Sequence, residues 1–259
     1  MLEQRLQLPQ WTELLYLLVI KDLTIRYKRS LLGYFWAIAN PCAFALVYWI
    51  AFKLIMRIQI EDYVIFILTG LFPWAYLNHA VSRATGSYAQ EASLVRKVKL
   101  PKLILPLSNV LQELVHFVFA MPVVFVCIFI DGGTIHASEQ VWQIPLMLLV
   151  QTLFIYPIAV LCALLNVLVR DVQYLVGIAF SLLFFTTPIV YHVAMVPEKY
   201  LHYFQANPAY YLVQCWRGVF ISGVISFSYV AHLLLWAAAL SAIAALTYRR
   251  VSGKVAELV

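Results

Sequence analysis

Between Glu139 and Arg170 the chain runs for 30 residues without a single charged side chain. As a helix this stretch exceeds the roughly 20 residues that cross about 30 Å of hydrocarbon. Unpaired backbone groups are so costly in lipid that such a stretch crosses as a helix. Five further apolar stretches accompany it, giving expected spans at about 34–56, 63–82, 107–130, 144–169, 173–191 and 227–248. Pro41, Pro73 and Pro157 fall inside three of them and predict kinks. Only 12% of residues are charged, against roughly 25% in a soluble domain. The expected fold is therefore an all-α integral membrane protein, residues 1–259 forming one transmembrane domain.

Orientation follows from one basic segment, residues 83–106. It carries Arg83, Arg96, Lys97, Lys99 and Lys102 against one acid, Glu91. Short loops rich in Lys and Arg stay on the cytoplasmic side. Ser87 to Lys97 lacks Gly and Pro and predicts about three helical turns, with Tyr88, Leu94 and Val95 on one side. Residues 11–33 mix a short apolar run with Lys21, Asp22, Arg26, Lys28 and Arg29. That is too charged to span and predicts an amphipathic helix at the cytoplasmic interface. The start of the chain does not read as a cleavable signal, since Glu3, Arg5 and Glu13 interrupt it.

Residues 197–223 are aromatic and semi-polar, and break at Asn207-Pro208. They fit either a seventh span or short helices dipping into the outer leaflet. Charge bias decides for six spans with both termini cytoplasmic. Of the 18 Lys and Arg, only Lys53, Arg57, Lys199 and Arg217 then lie on the outer side. A seventh span would move Arg249, Arg250 and Lys254 outside, against that bias. The net charge of +6 is thus an orientation signal, and no nucleic-acid partner is expected.

No GxxxxGK[ST] phosphate cradle and no HExxH occurs. The four cysteines are scattered without CxxC spacing, so neither a disulfide framework nor a metal site is expected. Glu113 is the one acid well inside a span, and it calls for a partner on a neighbouring helix or a transport role. His79 and His116 read as packed or interfacial. Aromatic residues are plentiful, with 16 Phe, 16 Tyr and 7 Trp. Phe44, Tyr48 and Phe52 recur every four residues on one helix face. Phe180, Phe184 and Phe185 cluster on the fifth span, which reaches Tyr191. Such rings serve either helix packing or weak, repeated contact with sugar faces along a channel.

Several motifs carry more than composition. RYKRSLLGYFWAIANP (Arg26–Pro41) resembles the opening of type 2 ABC exporter permeases, which export O-antigen, capsule and teichoic-acid polymers. LVRKVKLPKLILPL (Leu94–Leu107) resembles that family's first cytoplasmic loop, with Lys102 where Arg is common. LLNVLVRDVQYLV and FFTTPIVY resemble its turn into the fifth span and that span's end. NPAYYLVQCWRGVFISG (Asn207–Gly223) resembles its outer re-entrant segment.

The resemblance implies six transmembrane helices per subunit, working as a homodimer with two ATPase subunits that hold the ATP and Mg. It implies ATPase coupling by Tyr88, Gln90, Glu91, Leu94, Val95, Arg96 and Lys97. Lys21, Arg26, Lys28 and Arg29 would meet the ATPase or lipid head groups. Phe44, Tyr48, Phe52, Phe180, Phe184 and Tyr191 would line a channel, with Asn207, Pro208, Tyr210, Trp216 and Arg217 at an outer gate. Its substrate would be an undecaprenyl-diphosphate-linked polysaccharide crossing the bacterial inner membrane. A drug or small-lipid exporter of the same architecture is the alternative within transport. A membrane-embedded transferase built on Glu113 and His116 is the alternative outside it.

Overall fold

The computed structural model describes residues 8–27, 35–57, 62–98, 100–130 and 137–259. All regular structure among them is helical. The chain opens with α1 (Leu8–Tyr27) and α2 (Phe35–Tyr48), which continues through π-helical turns to Ile55. Then come α3 (Tyr63–Thr85), the short α4 (Ser87–Gln90) and α5 (Ala92–Lys97), α6 (Ile104–Ile130) and α7 (Ala137–Leu168). The remainder is α8 (Val172–Phe185), α9 (Glu198–Gln205), α10 (Pro208–Arg217), α11 (Phe227–Val251) and α12 (Val255–Leu258).

Among the described residues four helices are long and apolar enough to cross a membrane: Tyr63–Thr85, Ile104–Ile130, Gln140–Leu168 and Phe227–Val251. The expected first and fifth spans are shorter. α8 has 14 residues, about 21 Å of helix. It stops at Phe185 rather than reaching Tyr191. Thr187 precedes Pro188, and a residue before proline is pushed out of the helical region. α2 also has 14 regular residues before its π turns.

α3 is the axis of the bundle. It packs against α6 and α7, with α2, α8 and α10 around it. Seventeen of its residues are buried, Tyr63 to Thr85. Lipid removes the hydrophobic drive for helices to associate, so close packing and hydrogen bonds must hold them. Ala80 and Ala84 are fully buried on α3 and let its neighbours approach. Pro73 lies inside it without ending it, as prolines can in spans packed among neighbours.

A second core closes one end of the bundle. Leu18 of α1, Tyr88, Val95, Leu100 and Leu105 pack there with Val160 and Leu164 of α7 and Val255 of α12. Two expectations change here. α1 carries apolar side chains all round: Leu18 and Leu23 are buried, while Tyr16, Leu17, Ile20 and Ile25 face outward. The continuous loop helix expected over 87–97 is two short helices broken at Glu91. Glu91 leaves helical geometry while its carboxylate takes a hydrogen bond from Lys21 of α1.

α10 ends against the turn that follows it. A Cβ on Gly218 would meet the Val224 carbonyl oxygen at 2.6 Å. Gly223 adopts φ 69°, the left-handed region that favours glycine. Gly218→Ala should therefore destabilise this corner by about 1–3 kcal/mol, as overpacking against backbone does. A melting curve in detergent checks it; an unchanged midpoint would refute the tight approach.

Candidate functional site

A groove of about 460 Å³ runs along the flank of the bundle between α2, α3 and α8. Phe44 and Tyr48 enter it from α2, four residues apart on one face. Trp74, Asn78 and His79 come from α3, and Phe180, Phe184 and Phe185 from α8. The rings interlock. Tyr48 stacks on Phe184 with centroids 5.7 Å apart, and Trp74 meets Phe180 and Phe184 edge-on at 5.7 and 5.9 Å. Phe44 and Phe185 are exposed, so this ring-lined surface is open at the side of the chain.

Four of the six expected channel residues, Phe44, Tyr48, Phe180 and Phe184, thus come together. The side chain of Phe52 lies outside the described residues. Tyr191 sits elsewhere, its hydroxyl donating to the Phe185 carbonyl at 2.7 Å and its ring edge-on to Phe204. Trp74 and His79 were missed. The signal was the run Leu71, Trp74, Ala75, Asn78, whose i, i+3, i+4, i+7 spacing marks one helix face.

Beside His79, at one end of the groove, Glu113 is buried on α6. Arg83 Nη1 donates to Glu113 Oε1 at 3.1 Å, and His79 Nδ1 lies 3.8 Å from Oε2. The intramembrane acid is therefore paired across α3 and α6, as its cost in lipid requires. His116, one turn along, is buried.

The basic loop is held from inside. Tyr88 and Val95 are buried in the second core, and Leu94 is half-buried. Tyr88 donates its hydroxyl to the Lys102 carbonyl at 3.1 Å, and burial pushes that phenol above its ordinary range. Lys102 Nζ donates to the Val95 carbonyl at 3.3 Å, and burial lowers its ammonium. Burial alone would lower Lys21 too, but the hydrogen bond and charge of Glu91, with Asp22, raise it overall. Gln112 donates to Asp22 at 2.8 Å, so α1 is tied to both the loop and α6. Gln90, Arg96 and Lys97 remain exposed, Arg96 donating to the Val259 carbonyl. The side chains of Arg26, Lys28 and Arg29 lie outside the described residues.

The segment before α11 folds inward. Asn207 caps α10, accepting from Ala209 N at 3.0 Å, and Pro208 takes the first helical position. Tyr210, Trp216 and Arg217 are all buried. Three glutamines of α7 hold this segment. Gln140 donates to the Val219 carbonyl at 3.0 Å and Gln143 to the Gly223 carbonyl at 2.8 Å. Gln151 donates to the Pro73 carbonyl at 2.9 Å and accepts from Trp216 Nε1 at 2.7 Å. These glutamines were missed, though polar residues spaced 3 and 8 apart in an apolar span share a helix face and were visible in the sequence.

Comparison with known proteins places this architecture. Residues 13–221 match the family described as ABC-2 type transporter. The chain is 35% identical to the O-antigen export system permease protein RfbA of Klebsiella pneumoniae, over 95% of each chain. It is 29% identical to the RfbA of Myxococcus xanthus, covering 90% of this chain and 92% of that one. To the polysialic acid transport protein KpsM of Escherichia coli it is 21% identical over 81% of each. A match spanning the ring-lined groove, the paired Glu113 and the inward-folded α10 makes this multi-pass chain a member of the ABC-2 type transporter family.

Proposed function

We propose that the chain is the membrane-spanning permease of an ATP-driven exporter for lipid-linked polysaccharide of the O-antigen type, carried on undecaprenyl diphosphate. It works in the bacterial inner membrane as a homodimer with two ATPase subunits, which supply ATP and Mg. One observation carries the reading: the open groove of Phe44, Tyr48, Trp74, Phe180 and Phe184, in a chain whose full-length relatives are named O-antigen export permeases. Ring faces contact sugar C–H groups weakly and repeatedly, which suits a polymer that must slide without sticking. Two such grooves, facing each other across a dimer, enclose the channel.

Six spans remain the proposed topology. α2 with its π continuation supplies the first crossing, and α8 the fifth. Its missing length is made up by the inward-folded α10 at the outer leaflet, which the exposed α9 leads into. On the cytoplasmic side Gln90, Glu91, Arg96 and Lys97 meet the ATPase, while Tyr88, Leu94 and Val95 transmit its push into the core. Lys21, Arg26, Lys28 and Arg29 lie where lipid head groups and the ATPase meet α1. Asn207, Pro208, Tyr210, Trp216 and Arg217 form the outer gate.

The test is surface glycan in a strain lacking the gene. The wild-type chain should restore long-chain polysaccharide at the cell surface; undiminished glycan in the strain without the gene overturns the reading. Tyr48→Ala with Phe184→Ala should cut export at least about tenfold, a step of 1.4 kcal/mol, with the protein still in the membrane. Reversing Arg96 and Lys97 to Glu should leave folding intact, since both are exposed. The same double reversal should lower export by a similar factor; export at the wild-type rate would remove these residues from the coupling surface.

A further inference from the structure

The other end of the bundle holds a larger cavity, about 950 Å³, between the start of α3, residues 192–195 and the corner joining α10 to α11. Its wall includes Asp62, His192, Gln214, Arg217, Ser226 and Tyr229. Arg217 sets its character. The residue is only 6% exposed. Its Nη2 donates to the Ile189 carbonyl at 2.7 Å, and the guanidinium lies 3.6 Å from the centre of the Phe66 ring. Its Nε is buried with no hydrogen-bond partner. Among the described residues no carboxylate pairs with it; Asp62 shares the cavity wall without reaching ion-pair distance.

A buried cation without a counter-charge is costly, several kcal/mol for each ion after relaxation. One carbonyl and one ring face offset only part of that. A long arginine side chain ordinarily escapes such a position by extending its head to water. Here it is held in place. Gly70 has no Cβ to crowd it; one built there would stand 3.4 Å from Arg217 Nη2 and 3.3 Å from the Ile189 oxygen. A fixed, forked, uncompensated guanidinium on a roomy wall matches the geometry of phosphate oxygens. Its neighbours on that wall, the Gln214 amide and the Ser226 and Tyr229 hydroxyls, are neutral donors that add hydrogen bonds without adding charge. The volume lies at the upper end of the range for small-molecule sites, enough for a diphosphate with an adjoining sugar.

We propose that this cavity binds a diphosphate, held by Arg217 with Gln214, Ser226 and Tyr229 around it. The proposal rests on the export reading only for the source of that group, the head of the lipid-linked glycan arriving at the outer leaflet. Binding itself does not depend on export. Asp62 opposes the ligand from the rim and weakens the site, which favours release.

The experiment is titration calorimetry on the full chain in nucleotide-free lipid nanodiscs, without any ATPase present. Two probes are used: methylenediphosphonate, and geranyl diphosphate as a lipid-borne head group. Wild type should bind both if the site takes any diphosphate, and geranyl diphosphate more tightly if the lipid-borne head group is its natural occupant. Arg217→Lys should weaken both about tenfold, because Lys loses the fork. Gln214→Ala with Tyr229→Phe keeps the test valid should the arginine variant fold poorly, and should weaken both several-fold. Asp62→Asn should strengthen both, the sign that separates an anion site from a cation site. Absence of binding by wild type, unchanged affinity in Arg217→Lys and in the Gln214/Tyr229 variant, or weaker binding in Asp62→Asn would each overturn the proposal. Undiminished surface glycan in the strain without the gene, with binding intact, would count against the export reading alone.

Discussion

Gln151→Leu should lower the stability of the folded chain by about 2 kcal/mol and loosen α10 from the bundle. Gln151 is fully buried and uses both ends of its amide. One end donates to the Pro73 carbonyl of α3 and the other accepts from Trp216 of α10. Leucine fills the space but leaves the indole N–H unpaired and takes from the Pro73 carbonyl its second donor, beyond the one the α3 ladder supplies. Each buried group stranded in this way costs about 1–3 kcal/mol. Membrane bundles fall at the low end, with interhelical hydrogen bonds measuring about 0.6–1.7 kcal/mol. Trp216 has no escape to solvent, being fully buried against Phe117 edge-on at 5.0 Å and stacked on Phe220. Adding Trp216→Phe should recover part of the loss, since it removes the stranded N–H. Melting in detergent reads both effects; a Gln151→Leu midpoint equal to wild type would show that this amide is not what ties α10 to α3 and α7.

Arg83→Met should be more damaging, about 3–5 kcal/mol, the usual cost of removing one partner of a buried ion pair. The carboxylate of Glu113 is 3% exposed, whereas Arg83 is 30% exposed. Loss of the arginine therefore takes a charge partner from the group that is less able to reach water. His79, 3.8 Å away and 44% exposed, is too loose a partner to replace it. Most of the chain should then fail to leave gel filtration as a single folded species. Glu113→Gln in the same chain should restore it, because no charge is left buried. Additive losses in the double variant would contradict the pairing.

What the sequence made legible follows the strength of local signals. Uncharged runs located α3, α6, α7 and α11 closely, because lipid leaves a long apolar segment no alternative to a helix. Asn207-Pro208 marked the start of α10, since a cap followed by proline is a local device. The four-residue spacing of Phe44 and Tyr48 placed both rings on the same groove. Other features depended on distant partners. The break at Glu91 comes with a contact to Lys21, seventy residues earlier. Tyr88 and Val95 were legible only as one side of a helix, because many residues that cover them, among them Leu18, Val160 and Val255, lie far off in the sequence. Trp216 and Arg217 were assigned to an outer gate, but the hydrogen bonds that tie them to Gln151 and Ile189 could not be read from the sequence. The end of α8 was legible in principle. Pro188 was taken as a late residue of the span, although proline ends a helix one or two residues ahead of itself.

Together the two ends of the molecule describe a path. Arg83, His79 and Glu113 stand at one end of a ring-lined groove, and Arg217 stands in the wall of the cavity near the opposite end of α3. In the proposed exporter the sugar polymer follows the rings, and the charged head of its lipid meets fixed cations at either end.

The most direct test is purification of the chain from its native membranes in mild detergent, followed by an assay for ATP hydrolysis with and without lipid-linked polysaccharide. The proposed exporter predicts a stoichiometric ATPase that co-purifies and hydrolyses ATP faster when the glycan lipid is added. A chain that emerges alone, or with an ATPase indifferent to the glycan lipid, would contradict it.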